Sequence, residues 1–475
     1  MFDNQLFQQL VDASQPTGEV VGVDRFLVRV KGLDGVSANA LVVFQSGGRG
    51  MVREVSETIV FIMSLESESI QLGDLVVLQD NVLTTGVGEG LIGRVVNPLG
   101  QPLDGKGAIA FESTWPVYNE APGIMERSIL KDQLPSGVTM VDMLFPVVLG
   151  QRIAVLGDTK SGKSAFLMQL GITQTNTDRI VVYVLIGKRR VEIDRVVNLL
   201  NETGAIKNSI VVVANMFDSL AQSYLAPYIG CAIGEFLWQK KNRDVVMIYD
   251  DLSSHAKIYR EVALLNEANP GRDSYPGDMF FAHSSLLERA GKLVTTGKTM
   301  TALPIVITPG DDITAFLPTS IMSITDGQLI FDLATFRKNI KPALNAGLSV
   351  SRIGGRAQSK SLKVLSGTLF KALGDYRQAA EFAEFGGELA PETKRSLQFG
   401  AAIYAAFSQT PNELWSLVEQ QLFMQTVVIA DGAYTLDINA LKKKAREQAP
   451  NVKTEADIES LAQELLKQTM VGNQN

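Results

Sequence analysis

Apolar residues change their spacing along the chain, and the changes divide it. In MFDNQLFQQLVDASQ, Phe2, Leu6, Leu10 and Val11 recur at helical intervals, which predicts a short amphipathic helix. From Pro16 to about Asp80 the pattern becomes strand-like. Within RFLVRV, Phe26, Val28 and Val30 alternate with Arg25, Leu27 and Arg29, and the short runs ALVVF, TIVFIM and DLVVL are separated by QSGGRG and LGD. Short strands at close spacing with glycine turns predict a small closed barrel. The next stretch, GRVVNPLGQPLDGKG, is dense in Gly, Pro, Asn and Asp and marks a boundary or an ordered crossing segment.

From about Gly150 to Gly355 apolar runs alternate with helical patterns: RIAVLG, RIVVYVLIG, SIVVVAN, VVMIYDD and LPIVIT. Near-continuous Val, Ile and Leu is the mark of strands covered on both faces, hence of a parallel sheet between helices. After Gly355 the chain turns to Ala, Gln, Glu, Leu and Lys and loses its β-branched runs. Leu362, Leu365, Leu369 and Leu373 recur at helical spacing, and Thr410-Pro411-Asn412-Glu413 reads as a capping box with proline at the first helical position. A helical bundle is expected here.

The chain has 475 residues, 45% hydrophobic and 20% charged, with a net charge of −7, which suits a large folded protein of about three domains. Disorder and a disulfide scaffold are excluded, since the only cysteine, Cys231, sits in apolar YIGCAIGEF and is expected to be buried and inert. With two histidines, His255 and His283, zinc chemistry and a Ser-His-Asp triad are poor candidates. The acidic balance gives no footprint for nucleic acid, though a local phosphate site remains open. No apolar run reaches the roughly 20 residues that cross a bilayer. The N-terminal stretch carries an early acidic residue, no arginine and no continuous apolar core, so neither a signal nor a transit peptide is expected.

The strongest local signal is Gly157-Asp158-Thr159-Lys160-Ser161-Gly162-Lys163-Ser164, a match to the G-x-x-x-x-G-K-[ST] phosphate loop. Its context is right, with IAVL leading in and AFLMQL following as a helix. The glycines let the backbone close round a phosphate, helix N-terminal amides point at it, Lys163 adds charge and Ser164 can ligate Mg²⁺. VVMIYDD ends a buried strand in carboxylates, where such folds place an aspartate for the metal or its water. Asp250, first off the strand, is expected in that role, and Asp251 as a helix N-terminal cap. The expected fold is multidomain: a short helical arm (1–15), an N-terminal β-barrel (16–82), a central α/β P-loop domain of RecA-like type (83–358) and a C-terminal α-helical bundle (359–475).

The motifs GRVVNPLGQPLDGKG, GQRIAVLGDTKSGKS, IYDDLSSHAKIYREVALL, SYPGDMFFAHSSLLERAGK, SITDGQLIFDLATF and above all IKPALNAGLSVSRIGGRAQ resemble the alpha subunits of F-type rotary ATP synthases. These are the nucleotide-binding, non-catalytic subunits of an α₃β₃ head. The resemblance implies ATP or ADP with Mg²⁺ on residues 157 to 164, with Ser164 and Asp250 at the metal. It places Lys341 where alpha subunits usually have an Arg near the base, and Gln409 at the adenine pocket. It implies that Arg352, in Ser349-Val350-Ser351-Arg352, reaches in trans to the nucleotide of a neighbouring beta subunit, with Ser349 supporting the loop. The implied partners are beta subunits, a central shaft (gamma) subunit and a delta-type stator subunit, the last by a reduced contact because only about fifteen residues precede the barrel. The implied location is peripheral, on the cytoplasmic face of a bacterial inner membrane, meeting the membrane sector only indirectly, and the implied work is ATP synthesis coupled to ion transport.

Catalytic relatives of the alpha subunits carry Glu directly after the glycine that ends the next strand. Here VVYVLIG is followed by Lys188, where alpha subunits usually have Gln. A protonated lysine is no general base, so this chain's own site is expected to hydrolyse poorly. Glu192 is the remaining carboxylate that could reach a water, and a helix-start charge is its alternative reading. Competing functions are a homohexameric ATPase of the secretion or flagellar export type, against which the missing Glu argues, and an RNA-translocating hexameric helicase, which neither charge nor aromatic content supports.

Overall fold

The computed structural model describes residues 4–66, 70–265, 269–384 and 389–473. Phe2, one of the expected apolar positions, lies outside them. The chain forms two compact units, each assembled from two stretches: Met1–Arg127 with Asp178–Ile305, and Ser128–Thr177 with Val306–Asn475.

In the first unit, helix α1 (Asn4–Asp12) lies on a barrel whose strands are β1 (Thr17–Asp24), β2 (Leu27–Gly32), β3 (Leu41–Phe44), β4 (Arg49–Val55), β5 (Val60–Ser64) and β6 (Leu75–Asp80). They close in the order β1-β2-β5-β4-β3-β6. Val20, Val28, Val30, Val42, Ile62 and Val76 fill its interior. The helix seats Phe7 against Val43 and Val77, with Leu6, Leu10 and Val11 packed beside it. Phe7, absent from the expected apolar stripe, is the residue of α1 that goes deepest. After the barrel, the glycine-rich segment from Gly93 to Gly107 is ordered by an Arg94–Asp104 ion pair at 2.7 Å. It contributes the short strand Val95–Val96.

That strand is the edge of a parallel array, continuing through Ser209–Asn215, Ile180–Lys188 and Val245–Asp250 to Thr299–Ile307. The last four of these strands fall on apolar runs expected to be buried strands, and Val182, Val212, Met247 and Leu303 are fully covered. The helix Leu220–Gln239 lies on this array so closely that a Cβ on Gly230 would stand 2.4 Å from Val184 and one on Gly234 2.5 Å from Met247. Glycine is needed there for approach, since any side chain would lift the helix off the sheet. Cys231 on the same helix is buried, and burial pushes its thiol up to about 11, so it is inert as expected.

Two polar clusters sit inside this unit. Glu235, fully buried, accepts from Arg289 Nε at 2.8 Å and Nη2 at 2.5 Å, and also from Trp115 and Asn119. The two histidines meet as well: His255 Nε2 lies 3.0 Å from the Tyr224 carbonyl and His255 Nδ1 3.0 Å from His283 Nε2. The carbonyl fixes the proton on His255 Nε2, so His283 donates to His255 Nδ1.

The second unit pairs Ala154–Gly157 in parallel with Gly327–Phe331, and the latter in antiparallel with Val350–Ser351. The helices Lys360–Glu384, Pro391–Phe407, Leu417–Ala430, Ile438–Gln448 and Glu455–Thr469 follow. Leu362, Leu365, Leu369 and Leu373 are buried along the first of them. Two corrections belong here. Thr410-Pro411-Asn412-Glu413 starts no helix: the Glu413 carboxylate accepts from the Thr410 amide at 2.6 Å, but the segment is a turn. Its chain is held by Gln409, whose Nε2 donates to the Glu413 carbonyl, and the true capping box is Ser416 with Glu419, one motif further on. Strands also do not vanish from this region, since Tyr434–Leu436 pairs with Met470–Asn473.

The histidine pair generates a pH dependence. Burial lowers His255 to about 4, and burial together with the His255 charge holds His283 well below the usual range. Unfolded histidines bind protons near pH 6.5, so their contribution is complete above that pH and is lost as pH falls toward 4. Between pH 6.5 and about pH 5 the loss should be on the order of 2 kcal/mol per histidine. A His283→Leu variant should show a flatter pH profile of its thermal midpoint than the parent, and parallel profiles would contradict the assignment.

Candidate functional site

The phosphate loop is built by crowding on one side and charge on the other. Gly157 ends its strand at φ +152, and a Cβ there would stand 2.2 Å from the Phe331 carbonyl oxygen, so only glycine lets the loop leave the sheet. Gly162 at φ +106 precedes the helix Lys163–Thr173. Lys163 is buried, and its ammonium donates to the carbonyls of Gly157 at 2.7 Å and Asp158 at 2.6 Å and to the Ser161 hydroxyl at 3.3 Å. The Asp158 carboxylate accepts from the amides of Gly310 at 2.8 Å and Thr159 at 2.6 Å, and these bonds hold its pKa below the usual carboxylate range. Thr159, Lys160 and Ser164 are exposed, and Lys160 has a left-handed backbone at φ +64. Ammonium groups, a helix N-terminus and the glycine backbone together fit a phosphate.

In the first unit, Lys188 ends its strand as expected. Its ammonium lies 2.5 Å from Asp250 Oδ1 and 2.8 Å from Asp251 Oδ2. Burial works against its charge, but the two aspartates outweigh burial and raise its pKa above the ordinary lysine value. Asp251 also accepts the Ser254 amide at 2.6 Å, so it stands at the start of its helix as expected. Glu192 accepts the Arg189 amide at 3.1 Å at the start of the helix Arg190–Glu202, the placement of a helix-start charge. Asp250 is therefore an ion-pair partner, and a divalent cation beside it would face an ammonium on the same carboxylate. Among the described residues no group of three or more His, Cys, Asp or Glu is arranged to hold a metal. Ser164 suits a metal held with a phosphate, but Asp250 in this ion pair does not fit one.

The remaining candidates lie in the second unit. Arg352 is exposed; its amide donates to the Asp326 carbonyl at 3.1 Å and its Nη1 to the Thr325 carbonyl at 3.2 Å, and among the described residues no carboxylate pairs with it. Ser349 is buried, and its hydroxyl accepts the Ile330 amide at 3.0 Å, so it braces the loop that carries Arg352. Lys341 is exposed, and its carbonyl accepts the Gln409 amide at 3.0 Å, which brings these two together through the main chain. The Gln409 side chain turns inward. Its oxygen accepts from the Thr139 amide and hydroxyl and its nitrogen donates to the carbonyls of Gly137 and Glu413, which uses both ends of the amide within the protein.

Sequence reasoning missed the Lys188–Asp250–Asp251 cluster and the inward role of Gln409. The first had a signal: adjacent strands of a parallel sheet both end in charge, and the charges are opposite. The second had none, because its partners at 137 and 139 are remote in sequence.

The chain is similar to known proteins over most of its length. The family models described as "ATP synthase alpha/beta family, nucleotide-binding domain" and "ATP synthase alpha/beta chain, C terminal domain" match residues 137–351 and 358–472. The chain is 41% identical over 400 residues to a protein named ATP synthase subunit alpha of Aquifex aeolicus, covering 84% of this chain and 79% of that one. It is 39% identical over 441 residues to the protein of the same name from Clostridium botulinum strain Eklund 17B, covering 92% and 87%. The Dictyoglomus thermophilum protein of that name is 41% identical over 420 residues, covering 88% and 82%.

The crowding at Gly157 can be tested directly. Gly157→Ala should lower the unfolding free energy by about 1–3 kcal/mol, read by thermal or denaturant unfolding, because its Cβ meets backbone that cannot rotate away. An unchanged unfolding curve would show that the loop relaxes.

Proposed function

The chain belongs to the ATP synthase alpha/beta family as an alpha-type member, and from that premise we propose that it binds an adenine nucleotide at its own phosphate loop without hydrolysing it efficiently. We propose further that its chemical action is exerted through Arg352 on the nucleotide of a neighbouring beta subunit. The observation that carries the first part is Lys188, a permanently charged ammonium locked onto Asp250 and Asp251 at the strand end where a catalytic relative would place a carboxylate. It can neither accept a proton nor orient a hydroxide-like water. Glu192, committed to its helix N-terminus, is no substitute, which weighs against a self-sufficient homohexameric ATPase.

The second part is supported by the exposure of Arg352 and by the absence of a carboxylate partner among the described residues. Its main chain is held by the Asp326 carbonyl and one guanidinium nitrogen, Nη1, by the Thr325 carbonyl, and a planar guanidinium has further N–H donors to offer a phosphate. Such a group stabilises charge spread over phosphoryl oxygens, worth about 10³–10⁵ in rate in enzymes that borrow one from a partner. Ser349 fixes the loop rather than touching phosphate, Lys341 contributes charge near the base, and Gln409 shapes the pocket by tying the segment at 409 to residues 137 and 139. In this reading Mg²⁺ arrives with the nucleotide, and Ser164 is the residue of this chain placed to meet it. The subunit alternates with beta subunits around a central shaft, contacts a delta-type stator subunit, and serves ATP synthesis coupled to ion flow at a membrane it does not cross. Among the described residues no helix is long and apolar enough to do so.

Two substitutions separate the roles. Arg352→Ala should reduce ATP turnover of the assembled complex by about a thousandfold or more while leaving nucleotide affinity of the isolated chain within about twofold; unchanged turnover would refute the assignment. Lys163→Ala should weaken nucleotide binding to the isolated chain by at least about tenfold, read by equilibrium binding. If it instead left binding intact and stopped a first turnover, this chain's own site would be catalytic.

A further inference from the structure

The helix that follows the phosphate loop, Lys163–Thr173, is anchored by side chains at the end away from the loop. Gln169 and Thr173, four positions apart, share one face of it, and Gln174 stands at its C-terminal cap. Gln169 and Gln174 are buried. Each of the three donates to main-chain carbonyls remote in sequence. Gln169 Nε2 reaches the carbonyls of Thr410 at 3.0 Å and Glu413 at 3.4 Å, the Thr173 hydroxyl that of Ser136 at 3.1 Å, and Gln174 Nε2 that of Pro135 at 2.8 Å. The turn at 135–137 lies hard against the helix, since a Cβ on Gly137 would stand 2.4 Å from the Thr173 hydroxyl oxygen. The same turn is held from the C-terminal helices. Buried Asp142 accepts from the Ser136 amide and hydroxyl, each at 2.8 Å, from the Gly137 amide at 3.0 Å, and from Gln420 Nε2 at 2.9 Å. Gln420 belongs to the helix Leu417–Ala430, and its Nε2 also reaches the Trp415 carbonyl at 2.8 Å. All of these residues lie in the second unit.

Carbonyls of irregular segments have no ladder partner and must be answered from elsewhere. Here they are answered by the phosphate-loop helix, and such directional bonds oppose its sliding or tilting. A helix moves as one body, so what fixes its last turn also fixes, about 15 Å away, the first-turn amides and Lys163 that meet a phosphate. We propose that the C-terminal helices hold the phosphate-loop helix in place through this buried relay, with Gln169 and, at one remove, Gln420 as positioning residues for nucleotide affinity. The proposal rests on the reading above in which the loop binds an adenine nucleotide, and it adds what sets the strength of that binding. The donors of Gln169 and Gln420 are spent on residues 410, 413, 142 and 415, all outside the loop, so the two act through the helix and the turn.

The test is equilibrium binding of ATP with Mg²⁺ to the full-length chain, at a temperature where circular dichroism shows each variant folded. Gln169→Leu, which keeps the bulk and removes the donors, should weaken binding about fivefold, the worth of one ordinary hydrogen bond. Gln420→Leu should weaken it about threefold or more. The double variant should bind within about twofold of the weaker single variant, because both substitutions cut one relay. Ile403→Val, which loosens a fully buried position of the helix Pro391–Phe407 and removes none of these bonds, should bind within about twofold of the unmodified chain. A weakening below about threefold in either glutamine variant, or single effects that multiply in the double variant, overturns the proposal while leaving nucleotide binding intact. Weakening by Ile403→Val equal to that of the glutamine variants would assign the effect to overall stability and overturns it as well. Failure of the unmodified chain to bind ATP overturns the nucleotide-binding reading and this proposal with it. Should Gln420→Leu not fold, Thr173→Val, which deletes the hydroxyl that reaches Ser136, takes its place with the same expected and overturning results.

Discussion

A strand covered on both faces has no room for an unanswered charge, and that constraint organises this protein. Along Ile180–Lys188 every residue through Ile186 is buried, and the first charged side chain stands at the end of the strand. The neighbouring Val245–Asp250 obeys the same rule. Charge is thus pushed to the edge of the sheet, where it must find an opposite sign or water, and the chemistry of the protein collects there. Where charge does lie inside, as at Glu235 and Arg289, it is closed into a network with Trp115, Asn119 and the Val117 carbonyl. Removing one member of such a pair would leave the other's charge buried without its partner.

This constraint also explains what could be read from the sequence. The strands of the parallel array were legible because burial on both faces demands continuous Val, Ile and Leu. The phosphate loop was legible because glycine at 157 and 162 answers a local steric demand. The cap at 410–413 was misplaced because a local motif was outweighed by a remote contact, the Gln409 amide bridging to Gly137 and Glu413. The pairing of Lys188 with two aspartates was hidden for a related reason. Its identity said what it could not do, but what it holds depends on strand order, which no local pattern specifies.

Membership in the ATP synthase alpha/beta family and the geometry of these two strand ends bear on each other. The phosphate loop lies within the stretch that the family's nucleotide-binding model matches, and so does Lys188. A neutral side chain at 188 would leave Asp250 and Asp251 to be neutralised from outside. A charged one brings the balance into the fold, through contacts of Lys188 with both aspartates.

Lys163 carries a consequence of another kind. Its ammonium already donates to the Gly157 and Asp158 carbonyls and to the Ser161 hydroxyl, so the loop is held in shape by its own cation. Arrival of a polyanion is then an exchange of partners, in which bonds to carbonyl oxygen give way to bonds to phosphate oxygen. Little backbone order has to be created at that moment. An arriving anion therefore competes with the internal partners that the ammonium already holds. Between one anion and the next, the loop's own carbonyls and hydroxyl are there to hold that cation in place.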